Sequence, residues 1–170
     1  MHKVRTLAIE VRISYLGFVV LEGSNRLLDW GTRRWHSDTS PAKSAMGHID
    51  PLLAFYSPSV VVLKNMNRSR RADRRRIILA VKHKLAERYI EVHMVKRSDV
   101  RQTFCSSGNR NKYEIAVAIA KRFPQLQWKL PPKKRPWQPE RLRTAIFDAV
   151  ALGMACWEQC EPATAQSHDG

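Results

Sequence analysis

Cysteine is scarce in this chain, long apolar runs are lacking, and acidic residues are heavily outnumbered by basic ones. Only three of the 170 residues are cysteine, and a small odd number indicates a reducing cytoplasm rather than a disulfide-stabilised secreted domain. The longest apolar run, residues 145–157, is too short to cross a bilayer and contains Asp148. The apolar stretch before Glu10 is too short for a secretory signal, so we expect none.

The shortage of acids leaves a strong positive charge. Thirty lysine and arginine residues stand against 15 aspartate and glutamate residues, giving a formal net charge of +15. A surplus of this size favours a polyanionic partner, nucleic acid first and an acidic membrane surface second. Hydrophobic residues make up 44% of the chain, enough for the core of one domain. We therefore expect one domain over residues 1–160 and a flexible tail over residues 161–170.

The apolar pattern predicts a mixed α/β fold that starts with three consecutive antiparallel strands. The predicted elements, in chain order, are two strands within residues 6–21, a strand over 26–35, a helix over 44–56, a strand over 60–63, a helix over 70–89, a strand over 90–95, and helices over 98–104, 112–123 and 139–160. Because residues 60–95 form a strand–helix–strand unit, its two strands should be parallel. Residues 36–43 are predicted as a loop, and Ser98 as the cap of the helix that follows.

Glu10 is the first candidate site residue. It lies in the strand sequence TLAIEVRI, with Leu7, Ile9, Val11 and Ile13 on the opposite face. A carboxylate in a β-branched strand is unfavourable unless it has a partner, a solvent-filled cleft or a chemical role. Two interpretations stay open: an exposed sheet face, or a metal-binding carboxylate on a central strand.

Asp148 is the second candidate. It lies in IFDAVALGMA, a helix that is apolar on all sides and is therefore expected to be buried. A buried carboxylate needs a metal ion or a partner such as arginine. Acids from a first strand and a last helix are what two-metal phosphodiester cleavage uses, with a third acid expected at the end of the buried strand. At that place this chain has Lys64.

Three segments resemble the RuvC-type Holliday-junction resolvases of the ribonuclease H-like superfamily: LAIEVRISYLGFVVLE, VVVLKN and IFDAVALGMA, within a match over residues 5–156. The resemblance implies a ribonuclease H-like mixed sheet, with three antiparallel strands and then parallel strands, flanked by helices. It also implies an endonuclease on branched DNA that depends on Mg²⁺ or Mn²⁺ and acts as a homodimer.

The resemblance assigns catalysis and metal binding to Glu10 and Asp148. The family's second-motif glutamate falls on Lys64, a charge reversal, and a further family acid falls on Ala145. Glu140, two turns before Asp148, would have to supply the missing metal ligand. Alternatively, Lys64 would form a salt bridge with Glu10 or Asp148 and so satisfy both charges without metal.

Basic residues are predicted to bind nucleic acid at two places, an arginine-dense segment after the strand at 60–63 and a proline-rich segment over 124–139. In the second, Trp128 and Trp137 suit stacking on unpaired bases, although packing against the protein body stays an alternative. The predicted nucleic-acid-binding residues are Lys64, Arg68, Arg70, Arg71, Arg74, Arg75, Lys133, Lys134, Arg135 and Trp137. By the resemblance, Lys112 is a catalytic candidate that would contact the scissile phosphate.

Three functions stay open on the sequence alone: a metal-dependent endonuclease, a catalytically inactive protein that binds DNA or structured RNA, and a basic scaffold for an acidic protein. A second candidate metal site has less support than the carboxylates: Cys156 and Cys160 lie one helical turn apart and would share an ion with His168. Buried thiols are the expectation there. His93 is predicted to be a core residue of its strand.

Overall fold

A computed structural model of the chain describes residues 3–36, 40–66, 71–105, 108, 110–133 and 142–160. The strands are β1 (Arg5–Val11), β2 (Tyr15–Glu22), β3 (Arg26–Arg34), β4 (Val60–Lys64) and β5 (Val92–Val95). The helices are α1 (Pro41–Tyr56), α2 (Ala72–Glu87), α3 (Arg97–Phe104), α4 (Lys112–Arg122) and α5 (Thr144–Cys160), with a short 3-10 helix over Pro124–Lys129. No helix in these ranges is long and apolar enough to span a bilayer.

The strands form one mixed sheet in the order β3-β2-β1-β4-β5. The first three strands pair antiparallel, while β4 pairs in parallel with both β1 and β5. The predicted mixed sheet and its parallel second half are therefore confirmed. The short strand-to-strand connections explain the antiparallel part, and the crossover through α2 explains the parallel part.

Both faces of the central strand β1 are covered. Leu7 and Ile9 pack in the core layer that contains α1 and α2, whereas Ala8 packs in the layer that contains α4 and α5. Burial on both faces suits a nearly continuous apolar strand. The interpretation of an exposed sheet face for Glu10 is therefore wrong, because that residue is 1% exposed. Ile13 follows the end of β1 and is exposed, so it does not share the buried face.

Two helix starts differ from the sequence prediction. Helix α1 begins at Pro41, inside the segment predicted to be a loop, because a first-turn proline lacks only an N–H that would have no helical partner. The buried Ala45, Ile49 and Leu52 hold the helix together through Pro51. Helix α3 begins at Arg97, where the Lys96 N–H donates to Asp99 Oδ2 at 2.7 Å, so Ser98 is not the cap.

Gly17 sets the position of α5 against the sheet. It pairs with Glu10 across β1 and β2, and a Cβ added there would lie 2.4 Å from the Ala145 carbonyl carbon. A glycine is therefore required for the first turn of α5 to approach β2 this closely. Ala145 is buried in this contact, so an acidic side chain at that place would push the helix away.

A third helix start also differs from the sequence prediction, because α5 begins at Thr144 after a turn at residues 142 and 143, so the predicted helix does not run unbroken from Pro139. Pro139 itself and the predicted tail over 161–170 lie outside the described residues.

Candidate functional site

One edge of the sheet gathers the residues singled out from the sequence. Strands β1 and β4 run parallel, so their carboxyl ends place Glu10 and Lys64 at the same edge, where ligands bind in open α/β sheets. Asp148 lies in the second turn of α5, and Lys112 is the first residue of α4. All four side chains line a cleft of about 850 Å³.

A reciprocal cap fixes the start of α4 and hence the position of Lys112. The Glu114 N–H donates to Asn111 Oδ1 at 2.9 Å, and the Asn111 N–H donates to Glu114 Oε2 at 2.7 Å. This arrangement satisfies two N–H groups that the helix leaves unpaired. The Lys112 ammonium then lies 3.0 Å from Asp148 Oδ2.

Arg12 joins the two carboxylates. Its Nη2 lies 2.7 Å from Asp148 Oδ2 and 3.3 Å from Glu10 Oε1. The structure thus brings the acids of the first strand and the last helix to the same nitrogen atom. Their catalytic and metal-binding roles stay predictions. Arg12 is not among the sequence-predicted site residues, although strand alternation puts positions 10 and 12 on the same face and so carried the signal. It lies one residue past the end of β1.

Arg74 is the second buried partner of Glu10. It is 4% exposed, and its guanidinium donates to Glu10 Oε1 and, through Nε, to the Val11 carbonyl oxygen at 2.6 Å. The Lys64 ammonium lies 3.8 Å from the same Glu10 oxygen, which is the salt bridge that the sequence left as an alternative to metal binding. The other oxygen, Oε2, is buried and has no hydrogen-bond partner among the described residues.

Burial shifts the acid–base behaviour of this cluster. Burial and the nearby Glu10 charge raise the pKa of Asp148, against the opposing effect of Lys112 and Arg12. Burial likewise lowers the pKa of Lys64, with Arg74 and Arg12 acting in the same direction and Glu10 against it. In both cases burial removes water from around the ionised group and so favours its neutral form.

The described residues do not fit a two-metal centre. Such a centre uses several carboxylates to hold its two ions, and the described part of the cluster supplies Glu10 and Asp148. Four cations, the side chains of Arg12, Lys64, Arg74 and Lys112, already contact these two acids. The local excess of positive charge repels a divalent cation. Glu140, the predicted third ligand, lies outside the described residues.

The wider cleft is strongly basic. Among the described residues, its lining contains three carboxylates, of Glu10, Glu114 and Asp148. Eight basic side chains of the same described set line it, those of Arg12, Lys64, Arg71, Arg74, Arg97, Arg101, Arg110 and Lys112. Sequence reasoning missed Arg97, Arg101 and Arg110. The spacing of Arg97 and Arg101 puts them on one face of a helix, but only the packing of α3 shows that this face borders the cleft.

The other predicted nucleic-acid-binding residues divide into two groups. Arg75 and Lys133 are exposed and do not line the cleft, and their binding role stays a prediction. Trp128 is also exposed, with Lys129 Nζ 4.2 Å from its ring centre, so its ring does not pack into the protein body. The remaining candidates lie outside the described residues: Arg68, Arg70, Lys134, Arg135 and Trp137.

Comparison of the whole structure shows the resolvase fold. Two structures of Thermus thermophilus RuvC, the second in complex with a Holliday junction substrate, superpose with a TM-score of 0.65 at 19% and 17% identity. The alignments cover 89% of this chain and 92% and 91% of those chains. The yeast mitochondrial Holliday junction resolvase gives a TM-score of 0.60 at 13% identity, covering 92% of this chain and 81% of that one.

A viral enzyme extends the likeness. The fowlpox virus resolvase, in a complex with Holliday junction DNA, gives a TM-score of 0.55 at 14% identity, covering 92% of this chain and 98% of that one. The sequence itself matches no protein-family model and no curated protein. The RuvC-like, ribonuclease H-like fold expected from the sequence is therefore confirmed. Because the sequence identities are low, the comparison establishes the fold and not the activity.

Proposed function

We propose that this protein binds the phosphates of DNA or structured RNA in its basic cleft and does not cleave them. The contact of Arg12 with both Glu10 and Asp148 carries the proposal. A guanidinium shared by the two acids provides the positive charge that metal ions supply in a two-metal nuclease. Arg97, Arg101 and Arg110 are exposed at the cleft and would contact a polyanion, whose binding releases counterions and weakens with salt.

Branched DNA is the first ligand to test. The resolvase fold supports this choice, because the Thermus thermophilus and fowlpox virus proteins of the same fold are seen with Holliday junctions. A metal-dependent endonuclease on such DNA is the second candidate function. The meeting of Glu10 and Asp148 at the carboxyl ends of β1 and β4 favours it.

Asp148→Asn separates the two functions. For a binding protein, the wild type should bind a four-way junction, leave it intact in Mg²⁺ or Mn²⁺, and bind it several-fold more tightly once this negative charge is removed from the cleft. Fluorescence anisotropy and a cleavage gel measure both results. Asp73→Asn is the matched control, since Asp73 is an exposed acid of α2 that does not line the cleft.

The same variant gives a pH test. Protonation of Asp148 makes the cleft more positive, so wild-type affinity should rise as the pH falls. Because the pKa of Asp148 is raised, this rise should begin at a higher pH than for an ordinary aspartate. Asp148→Asn should bind with a flatter pH profile. Cleavage by the wild type that this variant abolishes would instead establish the endonuclease, and no affinity at about 0.15 M salt would favour an acidic protein partner.

Arg12→Ala combined with Lys64→Glu should create a metal site. Lys64→Glu alone leaves Arg12 in contact with both carboxylates, so we expect it to bind no Mn²⁺. The double variant removes two cations and adds a third acid at the end of β4, so calorimetry should show saturable Mn²⁺ binding. Circular dichroism checks that both variants fold. Saturable binding of Mn²⁺ by the wild type that Asp148→Asn removes would show that Arg12 does not exclude metal.

A further inference from the structure

A second cluster lies at the carboxyl-terminal end of α5, away from the turn that carries Asp148. Cys160 Sγ is 4.0 Å from Cys156 Sγ and 3.7 Å from His93 Nδ1, and the three atoms all lie within 4.8 Å of one another. Cys156 and Cys160 are one helical turn apart on α5, and His93 lies on the edge strand β5. The prediction that His93 is a core residue is wrong, since its side chain is partly exposed beside Cys160.

The distances fit a tetrahedral metal ion. Zinc binds thiolate sulfur at about 2.3 Å and imidazole nitrogen at about 2.0–2.1 Å, so tetrahedral angles place sulfur atoms about 3.8 Å apart and sulfur and nitrogen about 3.5 Å apart. The two separations from Cys160 exceed these values by only a few tenths of an ångström, and Cys156 Sγ lies within 4.8 Å of the His93 ring nitrogen. Side-chain rotations at Cys156 and His93 would bring all three atoms onto one ion. Two thiolates and an imidazole form a donor set that binds Zn²⁺ in preference to Mg²⁺ or Ca²⁺.

The position of Glu91 is a second, independent observation that points to metal binding by His93. Its Oε1 lies 2.7 Å from His93 Nε2, on the side of the ring away from the cysteines. A carboxylate in this position accepts a hydrogen bond from Nε2–H and thereby leaves the Nδ1 lone pair pointing at Cys160. Histidines that bind metal commonly have such a carboxylate partner, which fixes the tautomer and the ring orientation.

We propose that His93, Cys156 and Cys160 bind one thiophilic divalent ion, with a fourth coordination position open to solvent. Zn²⁺ is the ion that this donor set suits best. The ion would join the carboxyl-terminal end of α5 to the edge strand β5 and hold the helix that carries Asp148. Cys160 follows Asp148 by twelve residues on α5, about 18 Å along the axis, so the site is distinct from the basic cleft. His168, suggested from the sequence as the partner of the two cysteines, lies outside the described residues.

Reduced full-length protein, titrated with Zn²⁺ in competition with a chromogenic chelator, tests the site. We expect one equivalent to bind, releasing protons as the thiols ionise, and to raise Tm. Co²⁺ should give the ultraviolet thiolate-to-metal band and the intense visible bands of a tetrahedral ion. A wild type that takes up Co²⁺ without the thiolate band, or binds no Zn²⁺, would overturn the proposal.

Substitutions at the exposed members of the cluster avoid disturbing the core. Cys160→Ser should remove the thiolate band and the rise in Tm, and Glu91→Ala should weaken Zn²⁺ binding about 10–100-fold, because it removes the acceptor that orients His93. Cys105→Ser is the matched control, because Cys105 lines the distant cleft and should leave Zn²⁺ binding unchanged. Equal Zn²⁺ affinity in Cys160→Ser and the wild type would contradict the site. Junction binding by Cys160→Ser, measured in parallel, keeps this result separate from the function of the cleft.

Discussion

Arg74→Ala should lower the free energy of unfolding by about 3–5 kcal/mol, because it removes the buried guanidinium that donates to Glu10 and leaves this carboxylate only the longer contacts with Arg12 and Lys64 among the described residues. Arg74 is 4% exposed and Glu10 1% exposed, and the same guanidinium also donates to the Val11 carbonyl. The loss should lower Tm by about 6–20 °C for a chain of this size. Urea unfolding followed by circular dichroism measures it.

Arg75→Ala is the matched control for this prediction. The next residue of α2 is an exposed arginine outside the cleft, so its removal should change stability by no more than about 0.5 kcal/mol. Arg74→Met combined with Glu10→Leu should recover most of the loss, since apolar residues of similar size replace a buried pair at little cost. Equal stability of Arg74→Ala and Arg75→Ala would show that the buried pair does not support the fold.

Arg97→Ala with Arg101→Ala should weaken binding to a four-way junction by at least about 100-fold at moderate salt, since each charged hydrogen bond to a phosphate contributes about 1.5–3 kcal/mol. Both residues are exposed on α3 and line the cleft. If each contacts one phosphate, the slope of log K against log salt should become shallower by about 2. Anisotropy titrations over a series of salt concentrations give both quantities.

Lys82→Ala with Lys84→Ala removes the same charge from a different place. Both lysines are exposed on α2 and lie outside the cleft lining. Long-range attraction between exposed charges is screened beyond about 8 Å at physiological salt, so this variant should bind almost as tightly as the wild type. An equal loss of affinity in the two double variants would mean that the total charge of the protein, rather than the cleft, determines binding.

The proposed binding function gives the two carboxylates a structural role. Glu10 and Asp148 connect five chain segments, the ends of β1 and β4 and the helices α2, α4 and α5, through Arg12, Arg74, Lys64 and Lys112. Under that proposal the cluster orders the floor of the cleft, while catalysis and metal binding by the two acids stay predictions.

Local patterns were enough to predict much of the fold. The alternating strands, the buried run at β4 and the helical stripe of α2 each depend on near neighbours, so their periodicity is readable. The errors occur where packing overrides local preference. Residues 36–43 were predicted as a loop that contains Pro41, yet burial of the apolar face of α1 extends the helix back to that proline.

The order of the elements, the strong positive charge and the need of Glu10 and Asp148 for partners were all readable from the amino-acid sequence. The identity of the side chains that pair with these two acids became clear only from the folded structure. Arg12 reaches an acid 136 residues away in the chain, and His93 meets a cysteine 67 residues away. Such contacts have no local periodicity, because they depend on how β1, β5 and α5 are placed by the packing of the whole sheet.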